Sequence, residues 1–432
     1  MIARMLFSRA FLTRARIQQL WYVPLLTVAL GLMMVRMLVM ARVLRVQEFA
    51  LFSGAVLVSS TFCMLGCLGM QSMLQREWPV NLLRGQERRG LVLAAQCNVV
   101  ALGCAVILLL MTVTGASFAG LPPVLLAFGI LHGFSQQVFL IATVESRSRG
   151  DVVRFARDNL IRAGGALAFG TAAALITGMT LWVLAVEAVI SMILAYRYFS
   201  RAARIALLEL PRVYFLAVRS LRRVRWRSAL ALMAVSVLSF ISINADRWFA
   251  AETLEAASFA QYAFAWIVLI VAQGMQAVGN AAVFPMLARR FAGGGCRAAF
   301  RLCLALSLAV LAGGSICSIL VWEVASIAVP HWFPDYEPAI GLLPLFLAIG
   351  VLRLSDFWSS YLLVIGREAW LLVANIAVLI AASALWAAIV RPWNTSERMN
   401  DIALLALAFS LFSYAMTAGM ASRSRLGRNA DS

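Results

Sequence analysis

Twelve long apolar runs, each able to cross a bilayer as a helix of about 20 residues, constrain this chain more than any motif in it. They fall at 19–43, 49–74, 90–114, 120–144, 159–178, 180–200, 228–249, 259–287, 299–322, 338–364, 369–390 and 401–421. The pairs 159–178/180–200 and 338–364/369–390 are joined by very short turns, so each pair is expected to form an antiparallel hairpin. Charged residues make up only 13% of the chain, against roughly 25% in soluble domains, and 63% of residues are hydrophobic. Mean hydropathy is +0.88. Backbone polar groups in lipid must be satisfied internally, and long runs without alternation make these spans helices rather than barrel strands. The expected fold class is an all-α polytopic membrane protein.

Arginine sets the orientation. All 37 basic residues are Arg and none is Lys. With the N-terminus on the cytoplasmic side, 29 of the 37 fall in inner segments: 1–18, 75–89, 145–158, 197–227, 288–301, 365–368 and 422–432. The positive-inside rule then selects N-in and C-in. The expected organisation is a cytoplasmic N-terminus (1–18), a six-helix lobe (19–200), a basic cytoplasmic linker (201–227), a second six-helix lobe (228–421) and a cytoplasmic tail (422–432).

A net charge of +18 suggests nucleic acid at first sight, but these arginines punctuate every inner loop, the densest run being "SLRRVRWRS" at 220–228. Topogenesis and anionic headgroups account for such a distribution, so no nucleic-acid partner is expected. The first apolar segment runs about 25 residues without a small-residue cleavage pattern and reads as a retained span. Six of the seven cysteines lie in spans and Cys296 in an inner loop, which disfavours disulfides and a cysteine-rich metal site. His132 and His331 each stand alone, read as a helical packing residue and a loop residue rather than metal ligands. Neither a hydrolase elbow, a P-loop nor a pair of carboxylates at working distance is present. No enzyme, cofactor or metal is therefore expected.

Six spans precede the basic segment and six follow it, which suggests an internal duplication. A shift of 210 residues aligns "EFALFSGAVLV" (48–58) with "SFAQYAFAWIV" (258–268), sets Gly69 on Gly279, and sets Arg36 on Asp246. Because six is even, both halves start on the same side, as parallel repeats about an axis along the membrane normal. Two such lobes around a central cleft provide the geometry of alternating access.

The stretch "ARVLRVQEFALFSGAVLVSSTFCMLGCLGMQSMLQRE" (41–77) resembles the start of the polysaccharide flippases, the Wzx-type O-antigen and exopolysaccharide translocases of the multidrug/oligosaccharidyl-lipid/polysaccharide (MOP) exporter superfamily. "INADRWFAAETLEAASFAQYAFAWIVLIVAQGMQAVGNAAVFPMLAR" (243–289) and "GREAWLLVANIAV" (366–378) are similar to later segments of that family. Together these stretches cover about a quarter of the chain. Ala50 and its half-copy Ala260 depart from the family's frequent Gly. The resemblance implies a MATE-like fold and a monomeric transport unit in the bacterial inner membrane. It further implies a substrate that is a polyprenyl-diphosphate-linked oligosaccharide, with a polysaccharide polymerase and glycosyltransferases as partners.

The intramembrane charges supply candidate residues, because ionisable groups in spans by default face a bundle interior or a cavity. Arg36, Arg247 and Arg353 are candidate substrate contacts, since guanidinium groups match phosphate oxygens. Arg36 and Arg247 are expected to meet across the cleft. Asn244, Asp246, Glu187 and Asp356 are candidates for gating or coupling. Each has a second reading. Asp246 and Arg247 lie close enough to the outer surface to snorkel. Arg353 and Asp356, three apart, are expected to face each other as an intrahelical pair, either structural or lining the path. Arg162 is expected to be a headgroup anchor, and Glu187 stands alone as a candidate proton- or cation-coupled carboxylate. Prolines 24, 122, 123, 285 and 344 are expected to kink their helices.

Three rivals remain at this stage. A multidrug exporter of the same superfamily is expected to carry more buried carboxylates. A major-facilitator transporter is expected to show a "GxxxDRxGRR" loop, where this chain has "REWPVNLLRGQERRG" (76–90). A membrane glycosyltransferase is expected to have a large outer loop, whereas the longest here is about 323–337.

Overall fold

The computed structural model describes residues 14–114, 120–389 and 398–424. Among them all regular structure is helical, in the order α1 (Arg14–Val43), α2 (Val46–Leu65), α3 (Met70–Leu83), α4 (Glu87–Val113), α5 (Pro123–Ser148), α6 (Val152–Thr177) and α7 (Thr180–Ile205). There follow α8 (Leu210–Ser220), α9 (Trp226–Thr253), α10 (Ala256–Trp332), α11 (Leu343–Ser355), α12 (Trp358–Val364), α13 (Glu368–Ile389) and α14 (Arg398–Ser424). Among the described residues eleven helical segments are long and apolar enough to cross a membrane, and a shorter apolar stretch, 369–381, lies within α13. Each of the twelve expected spans is mostly helical over its described residues.

The boundaries differ from expectation where the backbone breaks. The run 49–74 does not form one helix. Leu68 and Gly69 both take positive φ, ending α2 and turning the chain into α3. A Cβ on Gly69 would also collide with the Ala229 carbonyl oxygen, so both turn and packing demand glycine there. The run 338–364 likewise splits, because Asp356 leaves helical geometry at φ −76°, ψ 77° between α11 and α12. In contrast, the inner segment 288–301 is helical, interrupted at Gly295 (φ 66°, ψ −167°) within α10. The same helix runs on to Trp332, so His331 lies in a last helical turn rather than in a loop.

Most of the expected proline kinks are helix starts. Pro122 and Pro123 open α5 and Pro344 opens α11, where the missing N–H costs nothing. Pro24 sits inside α1 and Pro79 inside α3. The side chain of Pro285 lies outside the described residues, as does Arg391.

The chain divides into two compact units, residues 1–44 with 54–236, and residues 45–53 with 237–432. In the first, Trp78, Phe139, Tyr198 and Phe199 centre the apolar core, with the Phe139 and Tyr198 rings edge-on at 6.4 Å. The expected basic linker 201–227 carries the helix α8 here. In the second, Phe300 packs against Trp358 and Tyr361 at 5.6 and 5.9 Å between centroids. Lipid gives no hydrophobic drive for helix association, so close packing of small residues matters more than in water. In the first unit the clearest case is Gly129-x-x-x-Gly133 on α5. A Cβ on Gly133 would sit 2.8 Å from the Ser59 carbonyl oxygen, and one on Gly129 would sit 3.1 Å from that of Ala55. Glycine at both positions lets α5 lie directly on α2.

Candidate functional site

That close approach brings polar groups together in the first unit. His132, between the two glycines, places Nδ1 2.8 Å from Ser59 Oγ on α2. Its Nε2 lies 3.2 Å from Glu187 Oε2 on α7. The same Nε2 lies 3.2 Å from Gln136 Nε2, so the ring joins Ser59, Gln136 and Glu187. Arg36, from α1, grips the same carboxylate in a two-point fork, Nε to Oε1 and Nη2 to Oε2, each at 2.5 Å. Arg36 is 3% exposed and Glu187 2%. A fork of this kind is the strongest pairing available to the two groups, and burial makes either charge costly without the other.

A second tier of residues surrounds the pair. Gln136 donates to Ser191 Oγ at 2.9 Å and accepts from Arg162, whose guanidinium also lies over the Phe139 ring at 4.9 Å. Gly170 on α6 leaves room for the carboxylate, since a Cβ there would stand 3.1 Å from Glu187 Oε1.

Three expectations are corrected here. Glu187 does not stand alone, and His132 is a member of its network rather than a packing residue. Arg162 is not a headgroup anchor. Its helix begins at Val152, seven residues before the expected span, which puts Arg162 about three turns inside it, turned toward Gln136.

The second unit holds a looser arrangement. Asp246 Oδ2 accepts from the Tyr262 hydroxyl at 2.9 Å. Arg247 donates from Nη2 to the Ser53 carbonyl at 3.1 Å and lies over the Trp266 ring at 4.6 Å. At 3% exposure Arg247 is held inside its unit and does not extend to the surface. Its Nε is buried without an acceptor. Asn244 is turned back onto its own helix, donating to the Phe240 carbonyl at 3.2 Å.

The expected Arg353–Asp356 pair does not form. The helix ends between them, so the three-residue spacing no longer places both on one face. Arg353 donates to the Ile243 carbonyl at 3.2 Å. Asp356 accepts from the Ser359 hydroxyl at 2.9 Å and from Thr417 at 3.4 Å.

Asp246 and Arg353 instead face a common cavity of about 290 Å3. Its remaining wall is mostly apolar, including Phe249, Leu379, Ile402 and Phe409. Among the described residues no group of three or more His, Cys, Asp or Glu is placed to hold a metal ion.

Comparison with known proteins adds the fold. No family model and no curated protein matches the sequence. Among solved structures, the eukaryotic MATE transporter AtDTX14 is similar with a TM-score of 0.63 at 10% identity, covering 95% of each chain. A Vibrio cholerae MATE transporter, VcmN, solved as an aspartate-to-asparagine mutant, is similar with a TM-score of 0.56 at 13% identity, covering 95% of this chain and 97% of that one. The fold is that of the MATE transporters. On this MATE fold, α1, α2, α5 and α7 carry the charged network of the first unit, and α9, α11, α13 and α14 line the cavity of the second.

Proposed function

We propose that the chain is a transporter that moves an anionic, lipid-linked oligosaccharide across the bacterial inner membrane by alternating access, for assembly of a cell-surface polysaccharide. One observation carries the choice of an anion. The deepest carboxylate of the first unit, Glu187, is already matched by Arg36, while the buried Arg247 keeps an N–H without an acceptor. Arg247 and Arg353 are held by backbone carbonyls and a ring, beside Asp246 and Asp356, which are likewise held by neutral partners, and the two guanidinium groups are the ones suited to a diphosphate. The MATE fold and the resemblance of 41–77 and 243–289 to flippase segments support the same reading.

Arg247 and Arg353 are the residues we assign to the substrate's phosphate oxygens, Arg247 held by the Ser53 carbonyl and the Trp266 ring and Arg353 by the Ile243 carbonyl. Arg36, Glu187 and His132 form a positioning and coupling network in this reading. A proton reaching Glu187 would weaken the Arg36 fork and loosen α1 from α7.

A second reading, a cation-coupled multidrug exporter, is favoured by the cavity itself. Its mostly apolar wall beside Asp246 has the character expected of a lipophilic-cation site. Equilibrium binding to the purified protein separates the two. Fluorescent polyprenyl-diphosphate oligosaccharide is expected to bind wild type and to lose about tenfold or more in affinity in Arg247→Gln. Tight binding of a lipophilic cation, lost in Asp246→Asn and indifferent to Arg247→Gln, would overturn the flippase reading.

A further inference from the structure

A second electropositive feature lies away from the intramembrane groups, on the arginine-rich side of the first unit. The end of α3, the turn after it and the start of α4 form one wall of a basin of about 870 Å3. The end of α8 and the chain leading into α9 form the other. Arg84, Arg88, Arg89, Arg219, Arg223 and Arg225 converge on it from these two separate segments. The one carboxylate among its described lining residues, Glu77, is taken by Arg225. Arg88 and Arg89 are steadied by the Ala206 carbonyl and by Gln86, at 3.2 and 2.9 Å. Arg84, Arg219 and Arg223 have no acidic partner among the described residues.

The basin is built, not a chance meeting of loops. α8 is docked on α4 through Val213 and Ala217, both fully buried, and Tyr214 accepts from Asn98 Nδ2 at 3.1 Å. Burial pushes the Tyr214 phenol above its ordinary pKa, so it stays a neutral hydroxyl. At the floor, Gln96 donates to Ser220 Oγ at 2.9 Å, tying α4 to the last residue of α8.

Topogenesis requires positive charge on this side of the membrane but not its convergence into one concave site, where like charges repel. A lipid phosphodiester has two free oxygens to offer Arg84, Arg219 and Arg223, so a headgroup with two phosphates fits better. Large apolar side chains stand exposed nearby on the same unit, Leu83 at the end of α3 and Phe215 and Val218 on α8, as expected where acyl chains begin. We propose that the basin binds the headgroup of a lipid bearing two phosphates in the arginine-rich leaflet. This site is independent of the transport reading above.

The test is lipid retention by the full-length protein, measured by native mass spectrometry after exchange from neutral phosphatidylcholine bilayers doped with diphosphatidylglycerol. Wild type is expected to keep one diphosphatidylglycerol per chain and to prefer it over phosphatidylglycerol by about tenfold. The triple variant Arg84→Gln, Arg219→Gln, Arg223→Gln is expected to lose that preference. A control triple from the second unit's arginine-rich segment 288–301, Arg289→Gln, Arg290→Gln, Arg297→Gln, is expected to keep it. A lysine version of the basin triple, which retains charge and topology, is expected to fall between them, because an ammonium cannot fork. Equal losses in both glutamine triples, or no preference over phosphatidylglycerol in wild type, would overturn the proposal. Polyprenyl diphosphate as competitor is expected to displace the lipid. Displacement by inorganic diphosphate at the same concentration would assign the basin to a soluble phosphate and overturn the lipid assignment.

Discussion

The two units handle intramembrane charge in opposite ways. In the first, Arg36 and Glu187 close on each other from α1 and α7, and His132 and Ser59 complete the shell. In the second, Asp246 and Arg353 both line an open volume of about 290 Å3, each held by a single neutral partner, Tyr262 or a backbone carbonyl. A closed pair stores stability and little binding capacity; an open one has the reverse character. If the halves derive from one repeat, Arg36 and Asp246 occupy the same register with opposite charge and opposite roles.

The sharpest way to break this contrast is to remove one member of the closed pair. Glu187→Ala leaves Arg36 buried without its carboxylate and is expected to cost about 3–5 kcal/mol, read as a large fall in thermal midpoint in detergent. The double replacement Arg36→Met with Glu187→Leu is expected to recover most of that loss, because a buried pair can be exchanged for apolar groups at little cost. A double mutant as unstable as Glu187→Ala would mean the network does more than neutralise its own charges. Gly133→Val is next in size. It drives a side chain into the Ser59 carbonyl, and a loss of about 1–3 kcal/mol is expected, with His132 pulled from Ser59. Ser59→Ala removes one hydrogen bond to His132 and is expected to cost about 1 kcal/mol.

The open site is expected to respond least. Asp246→Asn keeps an oxygen for the Tyr262 hydroxyl, so stability should change by less than about 1 kcal/mol while substrate affinity shifts. A destabilisation matching that of Glu187→Ala would erase the distinction between the two units.

Hydropathy and length made the spans legible, because lipid leaves the backbone so few options. The 159–178/180–200 hairpin was equally visible: Gly178, at φ 65°, donates its N–H to Ala174 at 2.8 Å and turns α6 directly into α7. The breaks were not: apolar character continues through Gly66–Gly69, and between Val351 and Val364 no glycine or proline marks a stop at Asp356. The Arg36–Glu187 pair lies 151 residues apart in the chain, and one sequence contains nothing that couples such positions. Its one local trace is the Gly129-x-x-x-Gly133 spacing around His132, which marks a helix face able to approach a neighbour and so singles out that histidine. Arg353 and Asp356 misled for the opposite reason. Their spacing is right for a helix that ends before it can pair them.

The most direct test of the claim that these span interiors serve an anion is leaflet-resolved transport in proteoliposomes, with fluorescent polyprenyl-diphosphate oligosaccharide and an organic cation run in parallel. Movement of the lipid-linked sugar that collapses in Arg247→Ala, with no efflux of the cation, is expected. Cation efflux without sugar movement, unchanged in Arg247→Ala, would contradict it and make the chain a drug exporter.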